Sequence, residues 1–168
     1  MRKAIAAAGS AVFFALAPGV MAGLIPWLLT EWDATDTWPA LRLLGAVLIA
    51  AGLVVLVHAF VRFVVEGVGT PAPIAPTEHL VVGGLYRHVR NPMYVAVTAI
   101  IVGQALVLGW PALLLYAAAF VAVTATFVRL YEEPVLRERF GAEYEAYRRA
   151  VPGWWPRLHA WRPGAGGE

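Results

Sequence analysis

Leu43-Leu44-Gly45-Ala46-Val47-Leu48-Ile49-Ala50-Ala51-Gly52-Leu53-Val54-Val55-Leu56-Val57 contains no polar side chain. Widened to 41–65, the run gains only Arg42 at one end and His58 and Arg62 at the other. Apolar stretches of roughly 18 residues or more read as membrane-spanning helices, and this one predicts a span over 41–65. The whole chain agrees with it. Of 168 residues, 60% are hydrophobic and 14% charged, against about a quarter charged in soluble domains. So few charges cannot clothe solvent-exposed helices, which excludes an ordinary soluble globule. The length accommodates four or five spans and leaves no room for a second soluble domain.

Three further segments share the character of the first. Residues 4–29 follow Arg2 and Lys3 and hold no charge. At 1.5 Å per residue they reach about 39 Å, enough to cross roughly 30 Å of hydrocarbon with some tilt. Pro18 and several glycines interrupt the segment, which membrane helices tolerate when neighbours satisfy the freed backbone groups. A cleaved signal is the alternative, with Val20-Met21-Ala22 as its edge, but the apolar stretch continues past Ala22. Residues 92–109 and 111–131 complete the set, separated by Gly109-Trp110-Pro111. The expected fold is therefore all-α, a polytopic membrane protein with four transmembrane helices forming one domain over 1–168.

Charge placement orients it. Glu31, Asp33 and Asp36 lie between the first two spans with Arg42, while the other twelve of the thirteen basic residues fall on the opposite side. Lys/Arg excess marks the cytoplasmic side, so both termini are expected in the cytoplasm and the protein in the inner (cytoplasmic) membrane. Trp27, Trp32, Trp38 and Trp110 are then expected at the outer interface, where indole rings gather. The net charge of +2 forms no continuous basic tract, which argues against a nucleic-acid partner. The absence of cysteine excludes disulfides, thiolate metal sites and a cysteine nucleophile.

Two cytoplasmic pieces exceed what a bare bundle needs. Residues 67–91 are longer than ordinary connections, and loops beyond about 12–15 residues are usually functional or disordered. Leu80, Val81, Val82, Leu85 and Tyr86 give this one apolar side chains that can dock. It reads either as a surface loop on the headgroups or as a wall over a site at the cytoplasmic face. Asn91-Pro92 suits a helix start, with asparagine as cap and proline at the first position. Arg90 before it is mildly unfavourable beside the positive helix end. A bound anion, held by Arg87 or Arg90 and the free amides, would offset that.

The second piece starts at Arg129-Leu130-Tyr131-Glu132-Glu133-Pro134. Adjacent carboxylates at a membrane surface need partners. Arg129 can reach Glu133 at i,i+4, leaving Glu132 to point elsewhere. Beyond Pro134, Leu136, Phe140, Tyr144, Tyr147 and Val151 form one apolar stripe at helical spacing, with charges filling much of the rest, an amphipathic helix lying on or over the bundle. By stripe geometry Tyr144 and Tyr147 are packing residues. Trp154-Trp155-Pro156-Arg157 reads as an interfacial anchor, and 163–168 as a disordered tail.

Within the spans, His58 and Arg62 sit one turn apart with Glu66 one turn further, so Arg62–Glu66 can be a simple pair, and His58 is either structural or lines a site. Gln104, Thr98, Thr124 and Thr126 are candidate helix glue. No three-ligand metal constellation occurs in the sequence, and Gly67-Val68-Gly69-Thr70 lacks the lysine and setting of a P-loop.

The separated blocks Gly69-Thr70-Pro71-Ala72-Pro73, Leu80 through Tyr94, Tyr131-Glu132-Glu133-Pro134-Val135-Leu136, Phe140 through Tyr147, and Trp155-Pro156-Arg157 resemble the isoprenylcysteine carboxyl methyltransferase and phospholipid methyltransferase superfamily of integral-membrane enzymes. The resemblance covers 67–157 and is closest to short bacterial members. It implies S-adenosylmethionine as methyl donor and a cofactor cleft at the cytoplasmic face. It also implies a hydrophobic or lipid-anchored acceptor, either isoprenylcysteine carboxylate-like or phospholipid-like. Carried across residue by residue, it puts Tyr86, Arg90, Asn91, Pro92, Tyr94, Glu132, Glu133, Tyr144 and Tyr147 at the cofactor. Arg90 and Glu132 are the two expected to serve the reaction, by electrostatic binding rather than covalent catalysis. His58 and Arg62 are the candidates for touching the acceptor, with membrane lipids as surroundings. Asn91 stands where the family often has histidine, and Leu85 where it often has proline. The alternatives are a membrane reductase using NADPH and a small membrane protein without enzymatic activity.

Overall fold

The computed structural model describes residues 16–67 and 79–162, and every regular element among them is helical. The start of the 4–29 span, the Gly69-Thr70-Pro71-Ala72-Pro73 block and the tail from 163 lie outside the described residues. Helix α1 covers Leu16–Thr30 and α2 covers Pro39–Gly67. A 3-10 turn, Gly84–Arg87, precedes α3, Pro92–Leu108. Helix α4, Ala112–Phe127, continues through a wide π-type turn, Val128–Glu132, into α5, Glu133–Ala150.

Two helices are long and apolar enough to cross a membrane: Pro39–Phe63 within α2, and the continuous Ala112–Ala150. Leu16–Thr30 and Pro92–Leu108 are apolar but shorter. The expectation of four spans is thus met in part. At 1.5 Å per residue α3 reaches about 26 Å, short of a roughly 30 Å core. The outer faces of α2 and α4 are apolar, with Leu43, Val54, Leu115 and Val123 each more than two-thirds exposed. Contiguous apolar surface of this kind marks a membrane or a partner, and the protein associates with the membrane through these helices.

The α2–α3 pair forms the spine. Gly45, Gly52 and Ala59 recur every seventh residue on α2, as do Ala96 and Gly103 on α3. An ideal Cβ on Gly45 would stand 2.5 Å from the Gly103 carbonyl oxygen, and one on Gly52 2.9 Å from that of Ala96. The two antiparallel backbones therefore touch where side chains are smallest, the usual route to close approach between membrane helices. Gly109 closes α3 in the left-handed conformation at φ 72°. Thr35 covers that end, its amide and hydroxyl donating to the Leu108 carbonyl at 2.9 and 3.0 Å.

Two prolines shape the other long helices identically. In α1 the amide of Ile25 skips to the Val20 carbonyl, and Pro26 follows. At the α4–α5 joint the Glu133 amide skips to Val128, and Pro134 follows. Proline lacks a donor and its ring crowds the preceding turn, so each helix widens there. Helix α5 then breaks at Gly141, whose φ 50° and ψ −122° are not helical. Residues eight apart in a straight helix are about 12 Å distant, yet across this break Arg137 and Glu145 pair at 2.5 Å. The continuous amphipathic helix expected from the stripe is therefore bent. Its stripe still buries Tyr144, Tyr147 and Val151, against Leu80, Val82, Leu136 and Phe140.

Candidate active site

A cavity of about 500 Å³ opens between α1, α2, α3, the α4–α5 joint and the 80–91 loop. That volume lies within the roughly 300–1,000 Å³ of small-molecule sites. Its walls change character along the bundle. Arg90, Asn91, Glu132, Glu133 and the tyrosines 86, 94, 144 and 147 gather at one end. Met21, Leu56, Val97 and Phe120, one from each of α1 to α4, line the other.

The polar end is built around Arg90, at the mouth of α3. Its Nη1 donates to Glu133 Oε1 at 2.7 Å and to the Tyr144 hydroxyl at 3.1 Å, and its Nε donates to the Val151 carbonyl at 2.9 Å. Glu133 also meets Arg148 at 3.2 Å. Both members of the Arg90–Glu133 pair are largely shielded from solvent, so breaking one side would strand a charge. The expected Arg129–Glu133 pairing is replaced by these two arginines, because the wide turn before Pro134 alters the register of Glu133 relative to Arg129.

Glu132 was expected to lack a partner; instead its Oε1 accepts from the Tyr94 hydroxyl at 2.8 Å. Burial holds its carboxyl above the usual glutamate range, and the Tyr94 hydrogen bond offsets part of that. A cation placed beside it would relieve the same strain. Burial also keeps the Tyr86, Tyr144 and Tyr147 hydroxyls above the ordinary tyrosine range, so they stay neutral. Tyr147 donates to the Tyr86 carbonyl at 2.6 Å, tying α5 to the 3-10 turn.

Asn91 and Pro92 occupy the cap and first positions of α3 as expected, but the Asn91 side chain makes no cap bond. It donates to the Gly153 carbonyl at 3.1 Å. The amides of Arg90 and Asn91 likewise donate to Pro152 and Gly153, at 2.9 and 3.2 Å. The segment 151–161 thus lies as a strap along 87–91, fastened further by His88 Nδ1 to the Arg157 carbonyl and Arg87 Nε to that of Trp161. Gly153 lies close under Arg90: an ideal Cβ there would come within 3.2 Å of Nη2. The sequence reading of Trp154 as a membrane anchor missed its contact: it stacks on Tyr94 at 6.2 Å. Pro152-Gly153, which turns the chain back, is the signal that could have shown it. Trp155 and Leu158 do project outward, at 83% and 92% exposure.

His58 and Arg62 are not among the residues lining the cavity. They flank Gly84 on the outer side of α2, where Arg62 pairs with Glu66 at 3.2 Å and Glu66 accepts from the Gly83 amide. The simple-pair reading of Arg62 holds. Leu80, Val81 and Tyr86 do line the cavity, so the described part of the connecting loop is a wall of the site.

The family model for phospholipid methyltransferase matches residues 41–143. The chain belongs to the phospholipid methyltransferase family. It is accordingly an S-adenosylmethionine-dependent methyltransferase acting on a membrane-associated substrate, which sets aside the reductase and non-enzymatic alternatives. No curated protein and no solved structure matches the chain. The matched stretch contains Arg90, Asn91, Pro92, Tyr94, Glu132 and Glu133, while Tyr144, Tyr147 and the strap follow it. The cavity is chemically suited to the methyl donor of this family. Glu132 in its wall carries a carboxylate with no cation bonded to it among the described residues, of the charge that would suit an amine or sulfonium, and neutral tyrosine hydroxyls of the kind that would suit a ribose stand around it. The Arg90 Nη2 edge, free of the bonds made by Nε and Nη1, can meet the methyl donor's carboxylate.

Proposed function

We propose that this methyltransferase modifies the headgroup of a lipid-anchored acceptor at the cytoplasmic membrane face, its apolar tail remaining among the helices. The observation that carries the reading is the single cavity lined by charged groups and tyrosines at one end and by apolar side chains from four helices at the other. We assign four spans with both termini cytoplasmic, on the twelve-to-one asymmetry of basic residues. Glu132 and Tyr94 are assigned to the donor and the reacting headgroup. Arg90, with Glu133 and Tyr144, is assigned chiefly to positioning, since most of its donors are occupied.

S-adenosylmethionine supplies an activated methyl group on a sulfonium. The chain's contribution is to position, to exclude water and to manage one proton. Tyr94 holds the Glu132 carboxylate in place, with Trp154 stacked on the Tyr94 ring. A carboxylate headgroup would meet the Glu132 carboxylate, whose partner is the uncharged Tyr94, while Arg90 and Arg148 are already engaged with Glu133. An ammonium headgroup meets favourable charge, and must lose a proton before it can accept a methyl group. Glu132, with its carboxyl above the usual range, is the base at hand. This favours a phospholipid-like amine over an isoprenylcysteine-like carboxylate. Methyl transfer to phosphatidylethanolamine and to a prenylcysteine, each in the same nanodisc, tests it. Transfer to the amine lipid is expected, and preference for the carboxylate overturns the headgroup assignment.

A further inference from the structure

The turn at Pro26 deprives two main-chain oxygens of their usual i+4 donors. Pro26 has no amide hydrogen for the Ala22 carbonyl, and the Ile25 amide is taken by Val20, so the Met21 carbonyl is also bypassed. Amid apolar helices such oxygens are costly unless a neighbour answers them. Two side chains do. Gln104 Nε2 of α3 donates to the Ala22 carbonyl at 2.7 Å, and the Tyr116 hydroxyl of α4 donates to the Met21 carbonyl at 2.7 Å, 3.6 Å from Met21 Sδ. The matching turn at Pro134 frees the carbonyls of Arg129 and Leu130 on an exposed stretch, and no such pair of pins is recorded there among the described residues. Met21 is also the deepest α1 residue of the cavity wall, in a ring with Leu56, Val97 and Phe120.

We propose that Gln104 and Tyr116 are positioning residues for acceptor specificity: by seating the Pro26 turn they set Met21 as the floor of the apolar end, and so fix how long a tail it accommodates. This rests on the reading above that an apolar tail occupies that end. Each methylene buried should strengthen binding roughly fourfold until the tail meets Met21, after which affinity levels off. Met21→Ala vacates the space of three heavy atoms and moves that point outward by about two to three methylenes. Tyr116→Phe and Gln104→Leu release the turn and blur it. Since Pro26→Ala restores a donor for the Ala22 carbonyl, it should abolish the loss of thermal stability caused by Gln104→Leu.

The test uses full-length protein in nanodiscs. It measures binding of single-chain n-alkylphosphoethanolamines and n-alkanoates from short to long, with S-adenosylmethionine affinity as the control. Expected are a levelling point in wild type, its outward shift in Met21→Ala, and unchanged cofactor affinity. A rising series with the same levelling point in Met21→Ala, Tyr116→Phe and Gln104→Leu overturns the floor and leaves the lipid-acceptor reading standing. A wild-type series in which tail length has no effect for either headgroup overturns both.

Discussion

Glu132 carries opposite demands from folding and from chemistry. Its folded-state carboxyl titrates above the ordinary value because burial outweighs the Tyr94 hydrogen bond. A group raised in this way contributes stability below its unfolded value, near 4.3, and loses that contribution as pH rises through the folded value. At neutral pH the ionised side chain therefore works against the fold. Glu132→Gln keeps an acceptor for Tyr94 and removes the charge. The variant should melt at the same temperature as wild type or higher at neutral pH, with any gain shrinking toward acid. Its methyl transfer should fall by about ten- to a hundredfold, the effect of losing a charge-assisted contact. The acid limb of the wild-type rate profile should vanish with it. A coincident loss of melting temperature and activity would show that the side chain is structural. From sequence, Glu132 stood out as a carboxylate beside another at a membrane boundary. Its partner Tyr94, 38 positions earlier in the chain, was not legible, because the hydrogen bond exists only once α3 and α4 are side by side.

At the scale of elements, the α2–α3 seam depends on what its glycines lack. A Cβ on Gly103 would stand 2.7 Å from the Gly45 carbonyl oxygen and 2.7 Å from Ile49 Cγ1, and backbone cannot move aside as a side-chain tip can. Gly103→Ala is expected to destabilise by about 1–3 kcal/mol, the usual range for overpacking. Gly19→Ala, where a Cβ meets nothing within 4 Å, should be neutral or slightly stabilising. Denaturation in mixed micelles compares the two, and equal effects would mean the seam is looser than its geometry. The hydrophobic runs were readable as helices beforehand. The consequence of proline was readable only in part: Pro134 marked a boundary, whereas the wide turn that presents Glu132 to Tyr94 and Glu133 to Arg90 depends on register within the helix. Gly141 within the amphipathic stripe carried no warning, since glycine in a helical pattern is tolerated and its backbone angles are set by the packing of α5 onto the loop.

For the whole molecule, charge asymmetry and the lengths of the apolar runs make a topological prediction. Reporter fusions after residues 35, 110 and 160 should read outside, outside and inside. An outside reading at 160 would put the site on the wrong face for a cytoplasmic methyl donor. The all-α class, the runs over 41–65, 92–109 and 111–131, and the clustering of chemistry in 80–94 and 131–147 follow from local properties of the chain. Hydropathy, charge and proline act through the residue itself and its near neighbours, so they can be read in order along the sequence. The site's wiring cannot. Arg90 is joined to Glu133, Tyr144 and Val151, and Asn91 to Gly153, across 43 to 62 positions. His58 and Arg62 fall outside the cavity although their helical spacing suited a site. Which side chains share the cavity was decided when α2 and α3 closed at their glycines and α5 bent at Gly141, because a contact between distant residues is a property of packed helices and not of any stretch of chain.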